Sequence, residues 1–150
     1  MSRDDRPEPD LPSALTEHAG YLAVVMGQMS QAKFEVAMAS LDLRPVHYDY
    51  LATLGEAGPT AQKDLARLLE VEPARIVALT DELETRSLVQ RTVDPTDRRR
   101  NLVSLTRSGR TLLAKAARLA TAVERDLLSA LPAADQRSLR DLLQRAIGLK

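Results

Sequence analysis

Apolar residues recur at three- and four-residue steps along most of the chain, the spacing that gives a helix one apolar face. Leu15, Leu22, Val25, Met26, Met29, Met38 and Leu41 follow it. They predict a helix from a Ser13 cap to about Leu41, with Gly20 and Gly27 as weak points inside. Pro45 suits the first turn of a second helix, which runs to about Glu56 and is punctuated by Gly55, Gly58 and Pro59. Thr60 can cap a short helix from Ala61 to about Leu69, and Pro73 opens another to about Arg86. The period then changes. Val89 to Val93 is rich in β-branched residues, 94–100 reads DPTDRRR, and Leu102 to Leu105 is apolar again, which predicts a hairpin with a charged tip. Thr106 can cap a helix over about 107–130, on which Leu112, Ala116, Leu119, Ala120, Val123 and Leu127 align. Pro132 starts a last helix carrying Leu139, Leu142, Leu143, Ala146 and Ile147. The prediction is a mainly α fold with one small β-hairpin and no internal repeat.

Within that order, 62–81 (QKDLARLLEVEPARIVALTD) reads as a helix–turn–helix. Ala66 supplies the small residue where two helix axes approach, Ile76 and Leu79 the matching apolar contacts, and Val71 the packing in the turn. Glu70 holds the turn position at which many such motifs place Gly to reach positive φ. An ordinary helical hairpin in a bundle fits this segment equally well when it is taken alone. The hairpin behind it shifts the balance. Asp97-Arg98-Arg99-Arg100 puts three consecutive arginines at a ribbon tip, and a narrow DNA minor groove concentrates the negative potential that attracts arginine. A solubilising loop is the plainer alternative. Asp97 can fix an arginine rotamer by a charge-assisted bond or form an Asx turn.

Composition at first argues against DNA. The 150 residues hold 21 basic and 21 acidic side chains, a net charge of zero. That excludes an indiscriminately basic coat. The distribution reads differently. Residues 1–85 hold 7 basic and 15 acidic side chains, 86–118 hold 9 and 2, and 119–150 hold 5 and 4, so the nets are −8, +7 and +1. The positive block falls on the hairpin and the helix after it, a local electrostatic footprint. The length suits one domain, or one domain with an accessory arm, and the charged, proline-rich residues 1–12 are expected to be a flexible arm with no signal-peptide h-region. No apolar run approaches the ~18 residues that span a bilayer, so a cytoplasmic protein is expected. There is no cysteine, which excludes thiol chemistry and cysteine redox sensing. His18 and His47 with scattered carboxylates make a poor transition-metal set. No Gly-rich phosphate loop and no recognisable catalytic arrangement is present, so neither an enzyme nor a bound cofactor is expected.

Residues 88–110 (LVQRTVDPTDRRRNLVSLTRSGR) resemble the wing and following helix start of the multiple-antibiotic-resistance regulator (MarR) family of bacterial transcription factors. The most specific pieces are Asp94-Pro95-x-Asp97-Arg98-Arg99 and Leu105-Thr106-x-x-Gly109, where Thr106 caps a helix and Gly109 permits close backbone approach. Residues 43–69 resemble the family's second and third helices, and 71–89 its recognition helix and the entry to the wing. The likeness spans roughly residues 13–148. Ser87 departs from it, standing where the family usually has Gly.

The resemblance implies an obligate homodimer. Residues 45–106 would form a winged helix–turn–helix lobe; residues 13–44 and 107–150 would form a helical dimerisation region with Leu15, Leu139, Leu142, Leu143 and Ile147 at the interface. The helix over 73–86 would enter the major groove with Pro73, Ala74, Arg75, Val77 and Ala78. Asp97, Arg98, Arg99 and Arg100 would form the wing contact, with Thr60, Gln62 and Lys63 on the DNA backbone. Arg75 is the best base-reading candidate, with a phosphate contact or a pairing to Glu72 or Asp97 as alternatives. Such proteins resemble repressors released by small, often aromatic ligands. The pocket would lie between the dimer helices and the lobe, with His18, Tyr21, Met26, His47 and Tyr50 as handles and Tyr48 and Leu51 as core. The expected partners are therefore double-stranded DNA, a second copy and a small effector. A winged-helix module that binds protein without specific DNA binding is the other reading.

Overall fold

The computed structural model describes residues 11–149, so the arm expected over 1–12 lies, but for its last two positions, outside the described residues. The elements are α1 (Ser13–Thr16), α2 (Ala19–Ala39), α3 (Pro45–Ala57), β1 (Thr60–Ala61), α4 (Gln62–Leu68), α5 (Pro73–Thr85), β2 (Val89–Val93), β3 (Asn101–Leu105), α6 (Arg107–Leu127) and α7 (Ala133–Ala146).

Two boundaries differ from the sequence pattern. The single helix expected over 13–41 is two helices, because the first turn closes on itself. Thr16 Oγ1 donates to the Ser13 carbonyl at 3.1 Å and the His18 amide to the Leu15 carbonyl at 3.2 Å. Such local bonds compete with helix continuation. His18 is extended and precedes α2, while Pro12 rather than Ser13 precedes α1. The second difference is β1. Thr60 does not cap α4; it pairs with Val103 in a third strand, and its hydroxyl donates to the Gly58 carbonyl at 2.8 Å. A two-residue strand has no periodicity to read. The sheet is antiparallel in the order β1-β3-β2, with Val89 opposite Leu105 and Val93 opposite Asn101.

The core lies among α3, α4, α5 and the sheet, with Tyr50, Leu51, Leu65, Ile76, Leu83 and Val103 at its centre, and Met38 of α2 and Ala116 of α6 closing it. The ends of three helices share one device. Asp42, Glu70 and Ser87 adopt φ of 55°, 52° and 57°. The next residue in each case, Leu43, Val71 or Leu88, donates its amide back to Met38, Ala66 or Leu83. These are Schellman ends in which an apolar residue follows a left-handed one, and the apolar residue packs on the helix it has just left. At the start of α6 the Gly109 amide donates to Thr106 Oγ1 at 3.0 Å, as the sequence predicts. A methyl group at Gly109 would overlap the Leu88 carbonyl, so the close approach read from Thr106-x-x-Gly109 is real.

Candidate nucleic-acid interface

α4 and α5 pack as a helix–turn–helix. Leu65, Ala66, Ile76 and Leu79 are buried between them and Val71 packs in the turn, where Glu70 takes the left-handed conformation itself. This packing leaves Pro73, Ala74, Arg75, Val77 and Ala78 exposed along one side of α5. Arg75 has no ion-pair partner among the described residues; neither Glu72 nor Asp97 engages it.

The acidic side chains of α5 are each paired with an arginine of another element. Arg91 of β2 donates to Asp81 at 2.5 Å, pairs with Glu84, and reaches Gln62 Oε1 at 3.4 Å. Gln62 also donates to Thr80 Oγ1 at 3.2 Å, and Thr80 lies 2.6 Å from the Tyr50 hydroxyl. Glu82 accepts from Arg44 at 2.6 Å and lies 3.1 Å from His47 Nε2. Arg91 thus ties the wing to α5 and α4. Sequence reasoning missed it, although Asp81 and Glu84 one helical turn apart, with a lone arginine on the next strand, was a readable signal.

The wing tip is shaped by two aspartates. Asp94 Oδ1 accepts from the Thr96 amide at 2.8 Å and the Thr96 hydroxyl at 2.6 Å. These bonds hold its carboxyl below the usual aspartate range. The Asp94 amide closes the loop on the Arg100 carbonyl at 2.8 Å. Asp97 Oδ1 accepts from the Arg99 amide at 3.0 Å, which makes it the Asx residue of the turn, while the Arg99 guanidinium stays 3.9 Å away and 96% exposed. The three arginines separate. Arg98 and Arg99 project from the turn, whereas Arg100 pairs with Asp64 of α4 at 3.0 Å and braces the root of the wing. Of the backbone candidates, Lys63 is exposed, Gln62 is engaged internally, and Thr60 is turned toward Gly58.

The expected pocket handles do not converge. His18 is exposed, Tyr21 and Met26 are half-buried on α2, and none of these three lines the cleft between α3, α6 and the wing strands. Tyr50 is wholly buried with its hydroxyl on Thr80, and burial raises its pKa. His47 is buried at the start of α3, where its Nδ1 accepts the Arg44 amide at 3.1 Å. Burial lowers its pKa against the pull of Glu82. Both are therefore structural groups of the lobe. Periodicity cannot distinguish a buried polar group with an internal partner from one that faces a ligand. A cleft of about 690 Å3 does open between α3, α6 and the wing strands, lined among others by Tyr48, Gly55, Gln90, Ser104, Arg110 and Ala117. Tyr48, expected in the core, is half-buried; it packs edge-on against Phe34 and lines this cleft.

A helix–turn–helix, a three-stranded wing and a cationic tip define a winged-helix DNA-binding regulator. The MarR family model matches residues 43–100. The HTH-type transcriptional repressor NicR of Pseudomonas putida is 34% identical over 107 residues, which cover 71% of this chain and 68% of that protein. A probable transcriptional regulator from Pseudomonas aeruginosa, solved by crystallography, is 36% identical with a TM-score of 0.74, over 88% of this chain and 98% of the other. CouR from Rhodococcus jostii RHA1, solved bound to p-coumaroyl-CoA, is 32% identical with a TM-score of 0.75, over 93% and 98%. The chain belongs to the MarR family and is a transcriptional regulator.

Proposed function

We propose that the protein acts in the cytoplasm as a homodimeric repressor on a two-fold symmetric operator and is released by a small, aromatic ligand. One observation carries the DNA reading. Arg75, Arg98 and Arg99 have no cross-element ion pair among the described residues, while every acidic side chain of α5 is paired. The surface that would face DNA therefore carries cations without a cross-element partner, beside carboxylates of α5 that are each paired with a basic side chain. In this reading α5 enters the major groove, Arg75 reads a base, and Arg98 and Arg99 enter the adjacent minor groove with Lys63 on the backbone.

The terminal helices support a dimer. α2 is apolar nearly all round, with Lys33 and Glu35 as its charged residues, yet only Met38 is buried. A helix of that composition belongs inside a core. α7 buries no side chain, and Leu142 and Ile147 are 58% and 72% exposed. Leu15 and Leu143 are exposed and Leu139 half-buried, which fits the same interface. The aromatic thioester bound by the CouR relative supports a ligand of that kind.

Selection of bound duplexes from a random pool tests the proposal. The expected result is a pseudo-palindrome with half-site centres about one helical turn, ~34 Å, apart. Failure to enrich any sequence would overturn it and favour a protein-binding winged helix.

A further inference from the structure

The exposed side of α5 limits the kind of sequence it can read. We propose that each α5 reads a single guanine through Arg75 and identifies the adjoining base pairs by thymine methyl groups, which pack on Ala74, Val77 and Ala78. The inference rests on the regulator reading above and adds what the half-site must contain. Within residues 73–80, Ile76, Leu79 and Thr80 are buried in the lobe. Thr80 is wholly buried, and its hydroxyl is engaged with Tyr50, Gln62 and the Ile76 carbonyl. Pro73, Ala74, Arg75, Val77 and Ala78 remain exposed. Arg75 is the one side chain of that set with a hydrogen-bonding group, and its fork matches guanine O6 and N7.

The other exposed side chains of this stretch can discriminate bases only by apolar contact. In the major groove the apolar mark of a base pair is the thymine methyl. Ala74, Val77 and Ala78 stand at i, i+3 and i+4, so they form one continuous patch on the helix. Val77 is β-branched and 46% exposed. The alanines on either side of it end at Cβ, which lets the helix backbone lie close to the groove floor.

Charge confines the contact to this end of α5. Its second half carries Asp81, Glu82 and Glu84, whose carboxylates gain nothing from approaching phosphates. Its first turn presents the positive end of the helix dipole. Residues 73–78 rise roughly 8 Å along the axis, the height of about two to three base pairs. The half-site that fits is therefore short: a guanine for Arg75, with thymines beside it whose methyls face the patch.

The test starts from duplexes selected out of a random pool by the full-length protein. Each selected half-site should hold a guanine with thymine within about three base pairs of it. Uracil in place of one such thymine removes the methyl and nothing else. It should weaken binding about fourfold, or about fifteenfold when made in both half-sites, with the salt slope unchanged. At the same position a 5-methylcytosine–guanine pair should bind about fourfold better than a plain cytosine–guanine pair. Val77→Ala changes an exposed residue and should keep the fold, which circular dichroism checks; it should shrink the uracil penalty at one thymine. A half-site without thymine there, no uracil penalty at any half-site thymine, or equal penalties in wild type and Val77→Ala at every position would each overturn the proposal with an operator in hand. Selection of no operator at all would overturn the regulator reading, and this proposal with it.

Discussion

His47 shows how one buried side chain can set a pH limit. Nδ1 accepts the Arg44 amide at 3.1 Å, and Nε2 lies 2.7 Å from Arg44 Nη2 and 3.1 Å from Glu82 Oε1. Protonation would set a second N–H against the Arg44 amide, with the charges of Arg44 and Arg86 nearby and only Glu82 opposing them. Burial places the folded pKa below the ordinary 6.5. The folded chain therefore binds this proton less tightly than the unfolded chain. The contribution is intact above the unfolded value and is lost as pH falls below it toward the folded value. Thermal melts between about pH 7.5 and about pH 5 should show stability falling on the acid side. His47→Gln keeps an acceptor for Arg44 and should flatten that fall; a variant with an unchanged acid slope would remove His47 as its cause. Gly109 is a second such point. Gly109→Ala drives a methyl into the Leu88 backbone carbonyl, which cannot swing aside as a side chain can. The expected loss is about 1–3 kcal/mol in denaturant unfolding.

At the scale of elements, the wing and the Schellman ends carry separate predictions. Ser87→Gly relieves a left-handed residue at the end of α5 that costs ~1–2 kcal/mol, less the ~0.5–1 kcal/mol by which glycine loosens the unfolded chain. A gain of roughly 0.5–1 kcal/mol should appear in urea titrations, with operator binding kept. Arg98→Ala with Arg99→Ala should weaken binding to any duplex and lower the salt slope by about two, leaving the oligomeric state unchanged. An unchanged slope would exclude both from phosphate or groove contact. These elements also show what was legible in the sequence. α3, α5, β2 and the capped start of α6 were read to within a residue or so, since Pro45, Pro73, Thr106 and the β-branched run each act locally. Glycine at the helix ends was the wrong signal to seek. The apolar residues Leu43, Val71 and Leu88 mark the turns, because their packing holds Asp42, Glu70 and Ser87 in place. The strand β1 and the pairing of Arg100 with Asp64 depend on contacts between distant segments, and no local pattern encodes those. The exposure of Arg75, Arg98 and Arg99 was legible because cations at a helix start or turn need no partner to be noticed; the cleft was not, because its lining comes from four elements.

For the whole molecule, neutrality conceals an arrangement. The acidic excess over residues 1–85 includes Asp64, Asp81, Glu82 and Glu84, and each of these is paired with an arginine. Those pairs offset anionic charge on the α4–α5 side, where Arg75, Arg98 and Arg99 have no cross-element ion pair among the described residues. The apolar surface is distributed in the same one-sided way: α2 and α7 expose it, and the lobe buries it. Leu142 and Ile147 are the side chains on which a dimer can be tested without touching the DNA face. Two leucine-sized side chains per subunit make four per dimer, worth about 1.5–3 kcal/mol each when buried, or about 6–12 kcal/mol together. Within that range, about 8 kcal/mol turns a nanomolar dimer into one that dissociates near millimolar. Leu142→Glu with Ile147→Glu should therefore sediment as a monomer at micromolar concentration. It should bind a full operator no better than a half-site, because two recognition helices are no longer held about one turn apart. The lobe core lies in α3–α5 and the sheet, so the variant should keep its secondary structure by circular dichroism. A variant that stays dimeric with full operator affinity would place the interface elsewhere on the molecule.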